Sequence, residues 1–280
     1  MSAKDTLTRI LTLDPIEVNL FRGFTPETDP RERIFGGQVV AQALLAAYKT
    51  IDGLICHSLQ SYFIRPGDPN LPVLYQVERS RDGRTFATRR VIAIQKGEQI
   101  FNMACSFQRE EAGFEHQSQM PAAPHPDDLI AAIDAFVPTQ PARTVHWLTE
   151  FPIEIRPMEL IDPAKPKPLA APHQLWFRSR ADMGDDLAIN QALLAYASDM
   201  ALLGTGLRPH GVTFMSGVQT ASLDHILWFH RRSDLTRWHL YVMDSPSASG
   251  ARGFNVGAIY REDGVLVASA AQEGLMRQRT

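Results

Sequence analysis

Between Leu187 and Leu207 a single residue carries a formal charge, Asp199. A carboxylate set in an apolar helix costs free energy unless a neighbour uses its charge or its oxygens. Two roles fit it: an aspartate at a helix end that caps the following loop, or a general base that orients a water and takes its proton. Taken as one strand of period two, Gln219–His230 puts Ser222, Asp224, Ile226 and Trp228 on one face and Leu223, His225, Leu227 and Phe229 on the other. On that phasing Ser222 and His225 point apart, so no Ser-Asp-His relay is built within the strand, and the chain holds no Gly-x-Ser-x-Gly elbow. Gln272 ends a small apolar run in which Leu266, Ala268 and Ala270 share its face, a pattern that by itself reads as a strand terminus. His57, at a strand start, reads as a structural histidine or as a second base. Gly36-Gly37 opens an uncharged run, and two readings stand there. The glycines permit tight entry into a helix, or the free N–H groups of Gly37 and Gln38 meet a developing oxyanion. Arg65, Arg81, Arg84, Arg231 and Arg252 suit phosphate contacts as a group, without individual assignment.

These residues are held by a chain that repeats itself. Gln42-Ala43-Leu44-Leu45-Ala46-Ala47 and Gln191-Ala192-Leu193-Leu194-Ala195-Tyr196 agree at five of six positions, at an offset of 149. Residues 63–75 lie on 229–241 at an offset of 166, matching Phe63/Phe229, Arg65/Arg231, Asp68/Asp234, Leu74/Leu240 and Tyr75/Tyr241. The second copy therefore makes a longer excursion between helix and strands, beginning near Gly204–Gly211. Each copy predicts one helix, Val39–Tyr48 or Leu187–Leu203, followed by strands. In the first copy these are Cys56–Ile64, Leu74–Arg79, Ala87–Ile94 and Ile100–Phe107. In the second they are Gln219–His230, His239–Met243, Phe254–Tyr260 and Val265–Gln272. Neither helix has a polar face, so each must be wrapped on nearly all sides, as an antiparallel sheet curled round it would do. Laid on the first copy, Asp199, Ser222 and Gln272 fall on Thr50, Cys56 and Ser106. The expected organisation is a first repeat over 1–115, a connection over 116–170 and a second repeat over 171–280. Eleven of the nineteen prolines lie within 109–173, which marks a connection rather than a third core, with a short helix at Asp127–Phe136.

Composition removes several function classes. A net charge of −3 gives no footprint for nucleic acid or an anionic membrane surface. The two cysteines, Cys56 and Cys105, are too few for a disulfide framework or a cysteine zinc site and suit a reducing cytoplasm. The N-terminus has no apolar core of signal-peptide length, and the terminal Gln278-Arg279-Thr280 is not a Ser-Lys-Leu address. No window is long and apolar enough for a membrane span, no His-Glu-x-x-His signature suggests a metal, and no Gly-rich phosphate loop occurs.

Four stretches, taken in order, resemble the acyl-CoA thioesterase II family: Gly36–Ala43, His57–Gly67, Asp224–Arg231 and Val265–Gly274. The resemblance spans nearly the whole chain apart from the proline-rich connection. It implies an α+β double hot-dog fold, two repeats each with a long central helix wrapped by an antiparallel sheet, and hydrolysis of acyl-CoA to fatty acid and CoA. It also implies a catalytic trio at Asp199, Ser222 and Gln272, in which Ser222 occupies a position that takes Thr or Ser. Candidate substrate-binding residues are Gly37, Gln38 and His57. No cofactor and no metal are expected; the partners expected are acyl-CoA and further copies of the chain, as a dimer or tetramer. Two other readings compete. A non-catalytic acyl-CoA binding protein of the same fold would have lost the polar trio. A hydratase would pair its carboxylate with a histidine near the helix, and none lies between Leu187 and Leu207.

Overall fold

A computed structural model describes residues 1–27 and 31–278; the last two residues of the C-terminal tripeptide lie outside the described residues. The first copy begins with α1 (Ala3–Leu11), whose Ser2 and Asp5 form a capping box, and two short strands, β1 (Asp14–Glu17) and β2 (Leu20–Gly23). The central helix α2 (Gly36–Tyr48) follows, then β3 (Ile55–Phe63), β4 (Val73–Asp82), β5 (Phe86–Gln95) and β6 (Glu98–Gln108). The connection carries a 3-10 turn at Pro126–Leu129, α3 (Ile130–Phe136) and α4 (Ala142–Thr149). Beyond it come β7 (Ile153–Pro157), β8 (His173–Ser179), α5 (Leu187–Ser198) and the single turn α6 (Leu202–Thr205). The chain closes with β9 (Val218–Ser222), β10 (Asp224–Phe229), β11 (His239–Ser249), β12 (Arg252–Arg261) and β13 (Leu266–Gln278).

The strands form one sheet in the order β1-β2-β4-β5-β6-β3-β10-β13-β12-β11-β8-β7, with β9 added to β13. Read outward from the β3–β10 joint the two halves run in the same sequence, so the internal repeat is also a repeat of topology. At the joint the strands are antiparallel, with Tyr62 opposite Asp224 and Ser58 opposite Trp228. This is the double hot-dog architecture. β7 pairs with β8 and so belongs to the edge of the second half, although it arises from the proline-rich stretch.

Both central helices are swaddled, as their lack of a polar face requires: α2 is buried from Gly37 to Ala47 and α5 from Asn190 to Ser198. Fully buried leucines such as Leu44 and Leu194 each contribute roughly 1.5–3 kcal/mol. The matching glutamines of the repeat are buried but satisfied. Gln42 Nε2 donates to the Ile10 and Phe24 carbonyls while its oxygen accepts from the Tyr75 hydroxyl. Gln191 Nε2 donates to the Cys56 carbonyl, and its oxygen accepts from the Tyr48 hydroxyl.

Several expected elements differ from the structure: the strand expected to end at Gln272 runs on to Gln278, so Gln272 lies mid-strand, and the strand expected over His239–Met243 runs to Ser249. The helix expected to Leu203 stops at Ser198, and Asp199 is its C-cap residue. The strand expected over Gln219–His230 is broken at Leu223, between β9 and β10. Opposite β13, Ser222 pairs with Gly274 but Ile226 pairs with Ala271, so the β9–β10 side carries one more residue than its partner. This is a bulge, and Asp224 stabilises it by accepting a 2.6 Å hydrogen bond from the Glu273 N–H. Among the described residues no helix is long and apolar enough to cross a membrane.

Candidate active site

The bulge decides which side chains meet. Inserting one residue inverts the alternation, so Ser222, His225 and Gln272 all turn toward α5 rather than pointing apart. The expectation that Ser222 and His225 face opposite ways is thereby corrected. Asp199 sits where the C-terminus of α5 meets the strands, with 7% of its surface exposed. Its Oδ1 accepts from Gln272 Nε2 at 2.6 Å and from Ser222 Oγ at 3.4 Å, and Gln272 Nε2 also lies 3.2 Å from Ser222 Oγ. Thus three residues spread over β9, β13 and the end of α5 come together around one carboxylate. Ser222 is half-buried, and Gln272 is wholly buried.

A further donor arrives from the other copy. The first turn of α2 abuts the end of α5, and the Gly37 N–H donates to the Asp199 carboxylate. A Cβ on Gly36 would lie 2.6 Å from Asp199 Oδ2, and one on Gly37 2.4 Å from the Tyr196 carbonyl oxygen. Glycine is required here by proximity. The positive end of α2 therefore faces the carboxylate, an arrangement that favours negative charge. Gln38 N–H donates to the Phe35 carbonyl, and its side chain to Thr25 and Phe24. His57 stands apart from the trio. It bonds Ser106 at 2.8 Å and sits six residues back along β3 from Phe63, which touches the Gly36 position, a separation of about 20 Å.

Burial pushes the Asp199 carboxyl up to about 6, against the pull of the Gln272, Gly37 and Ser222 hydrogen bonds and of the Arg31 charge. The group is thus mostly ionised at neutral pH but holds its proton far more readily than a surface aspartate. The folded-state value lies above the ordinary 3.8, so the cost of burying the charge is absent below about pH 4 and complete above about pH 6. The stability of the native protein relative to Asp199→Asn is expected to fall by about 3 kcal/mol between those limits. Urea unfolding of both proteins at pH 4 and pH 7.5 reads that difference, and an unchanged difference would contradict a buried, titrating Asp199.

Comparison with known proteins places the chain in a family. The acyl-CoA thioesterase family model matches residues 144–275, and the model for the acyl-CoA thioesterase N-terminal domain matches 24–108. Human acyl-coenzyme A thioesterase 8 is 41% identical, over 97% of this chain and 88% of its own. Acyl-CoA thioesterase 2 of Haemophilus influenzae is 39% identical over 98% of this chain and 97% of its own. The chain belongs to the acyl-CoA thioesterase family. An acyl-CoA thioesterase II from Mycobacterium marinum superposes with a TM-score of 0.80 at 40% identity, covering 98% of this chain and 99% of that one. A hot-dog protein from Alicyclobacillus acidocaldarius, 20% identical with a TM-score of 0.78 over 98% of each chain, shares the fold.

Within this thioesterase the duplicated half is differently furnished. At the place matching Asp199, the Thr50 hydroxyl donates to the Ala47 carbonyl and accepts from Arg89 Nε at 2.8 Å. Arg89 is 1% exposed, donates further to the Thr50, Arg81 and Thr88 carbonyls, and pairs with Asp82. Cys56 is buried with its thiol pushed well above the ordinary range, and Ser106 is taken by His57. A buried guanidinium thus stands in the first half where the second half has a carboxylate. Sequence reasoning missed His225, which the bulge brings within 4.0 Å of Asp199. The one signal for it was Asp224, a carboxylate placed mid-strand that turns out to cap the bulge.

Proposed function

We propose that this thioesterase hydrolyses fatty acyl-CoA through a water activated by Asp199 and oriented by Ser222 and Gln272. The observation that carries the reading is the convergence of the Gln272 amide and the Ser222 hydroxyl on one oxygen of a buried, ionised carboxylate. A thioester carbonyl is already electrophilic, so the reaction asks mainly for a placed nucleophile and an acceptor for its proton. Water attacks the carbonyl carbon and gives a proton to Asp199. The tetrahedral intermediate then expels the CoA thiolate, which recovers that proton as the C–S bond breaks. The N-terminal turn of α2, whose Gly37 N–H reaches Asp199 while the Gln38 N–H, expected to be free, is spent on the Phe35 carbonyl, supplies the positive end nearest the reacting centre. Its field steadies the carboxylate first and the oxyanion as it forms. His57 has no part in this scheme: its ring bonds Ser106, and it lies at the opposite end of β3 from Phe63, which touches the Gly36 position. With Arg89 buried at the duplicated position, the reading gives one working site per chain.

The test follows free CoA thiol released from acyl-CoAs of short to long chain by the native enzyme and by Ser222→Ala. Loss of one water-orienting hydroxyl is expected to lower kcat by about 10-fold or more with little change in KM. A Ser222→Ala enzyme with undiminished kcat would remove the hydroxyl from the mechanism.

A further inference from the structure

Gln272 has to present its amide one way round, since rotation by 180° would set its carbonyl against the Asp199 carboxylate. Its Nε2 faces three acceptors: Asp199 Oδ1 at 2.6 Å, Ser222 Oγ at 3.2 Å and, on the remaining side, His225 Nδ1 at 3.3 Å. Its Oε1 is buried and has no hydrogen-bond partner among the described residues. What sets the direction of the His225 bond is a chain of partners behind it. The Ser198 hydroxyl spends its proton on the Ala195 carbonyl at 2.9 Å, one turn back in α5. Its oxygen is left as an acceptor for His225 Nε2, 2.8 Å away. A neutral imidazole whose proton sits on Nε2 has a bare lone pair on Nδ1, and that lone pair is aimed at the Gln272 amide. The Tyr241 hydroxyl fixes the same turn by donating to the Ser198 carbonyl at 2.8 Å.

We infer that His225 is a positioning residue, whose Nδ1 lone pair, oriented through Ser198, shares with Ser222 Oγ one of the two Gln272 N–H groups, so that the other N–H stays on Asp199 Oδ1 and the amide oxygen is free to accept from the attacking water. The role needs no proton transfer by the imidazole, and complete burial suits it: His225 is 0% exposed and burial lowers it to about 4, which keeps it neutral throughout the working range. A protonated ring would turn a donor toward Gln272 and undo the arrangement. His225 therefore is not the histidine half of a hydratase pair, although it approaches the carboxylate. The inference rests on the assignment of Asp199, Ser222 and Gln272 as the water-orienting groups.

The test is a double-mutant cycle in the whole enzyme, reading kcat and KM for thiol release. His225→Asn keeps an acceptor oxygen where Nδ1 stood. His225→Gln keeps a donor toward Ser198 but puts a methylene where the lone pair was. His225→Gln is expected to lower kcat roughly 10–50-fold with KM within about twofold, and His225→Asn to restore most of that loss. In a Gln272→Ala background, His225→Gln should cost less than about twofold, because its target is gone. Equal losses in both backgrounds, or His225→Asn as damaged as His225→Gln, would overturn the positioning role. Should His225→Gln fail to fold, Ser198→Ala releases the imidazole tautomer and must show the same dependence on Gln272. A Gln272→Ala enzyme with native kcat would instead remove the water-orienting assignment itself, which separates the two failures.

Discussion

Asp199→Asn is expected to lose about 10²–10⁴-fold in kcat, the usual range for removing a general base, with its fold intact. The substitution keeps the shape of the side chain and leaves an oxygen to accept from Gln272 and Ser222. It removes the charge and the proton-accepting capacity. The native enzyme should gain kcat/KM as pH rises through about 6, because only the ionised carboxylate takes the proton and burial has moved its titration there. The residual rate of the variant should lack that limb. An Asp199→Asn enzyme keeping more than a tenth of native turnover, or an acid limb surviving in it, would mean that another group is the base. The same experiment separates hydrolysis from binding: a variant that still binds acyl-CoA but releases no thiol places the loss in the chemical step.

Gly37→Ala is expected to damage stability and activity together. The added methyl would stand 2.4 Å from the Tyr196 carbonyl oxygen, which belongs to the backbone of α5 and has no rotamer with which to escape. The two central helices must therefore separate. Overpacking of this kind costs about 1–3 kcal/mol, offset in part by the better helix propensity of alanine, about 1 kcal/mol. As α2 backs away its N–H leaves the Asp199 carboxylate, so one of the hydrogen bonds that lower its pKa is lost. The acid limb of kcat/KM should then move above 6, and kcat should fall about 10-fold or more. Urea midpoints and pH–rate profiles measure both effects. A Gly37→Ala enzyme with an unmoved limb would show that the α2 terminus does not support the carboxylate.

Much of this was readable from residue order alone. The charge-free runs around Leu44 and Leu193 announced two wrapped helices, and their shared Gln-Ala-Leu-Leu-Ala announced duplication, because a buried helix leaves little freedom in its sequence. The outlying Asp199 was legible for the same reason: a buried charge stands out. Its partners were less so. Gln272 follows an unremarkable apolar run, and it entered through resemblance to a family rather than through pattern. The alternation rule failed at Leu223 because a single inserted residue inverts every side chain beyond it while leaving composition unchanged. That hid both the approach of Ser222 to Asp199 and the existence of His225 as a neighbour. The short strands β1, β2 and β7 were also silent, since four or five residues at a sheet edge carry too little pattern to register. The Gly37 contact with Asp199 joins distant parts of the chain, and only the packing of α2 on α5 creates it.

That contact has a consequence for the duplication. Two identical copies related by a twofold axis would have to carry every residue at both helix junctions: a carboxylate at one end of the pair would be answered by a carboxylate at the other, each wanting its own glycine entry. Joined in one chain, the junctions are no longer bound to match. One holds Asp199 under the glycines of α2, whereas the other holds Thr50 and the guanidinium of Arg89. Covalent linkage thus relieves the molecule of its own symmetry, and lets one junction keep a carboxylate while the other carries a buried guanidinium.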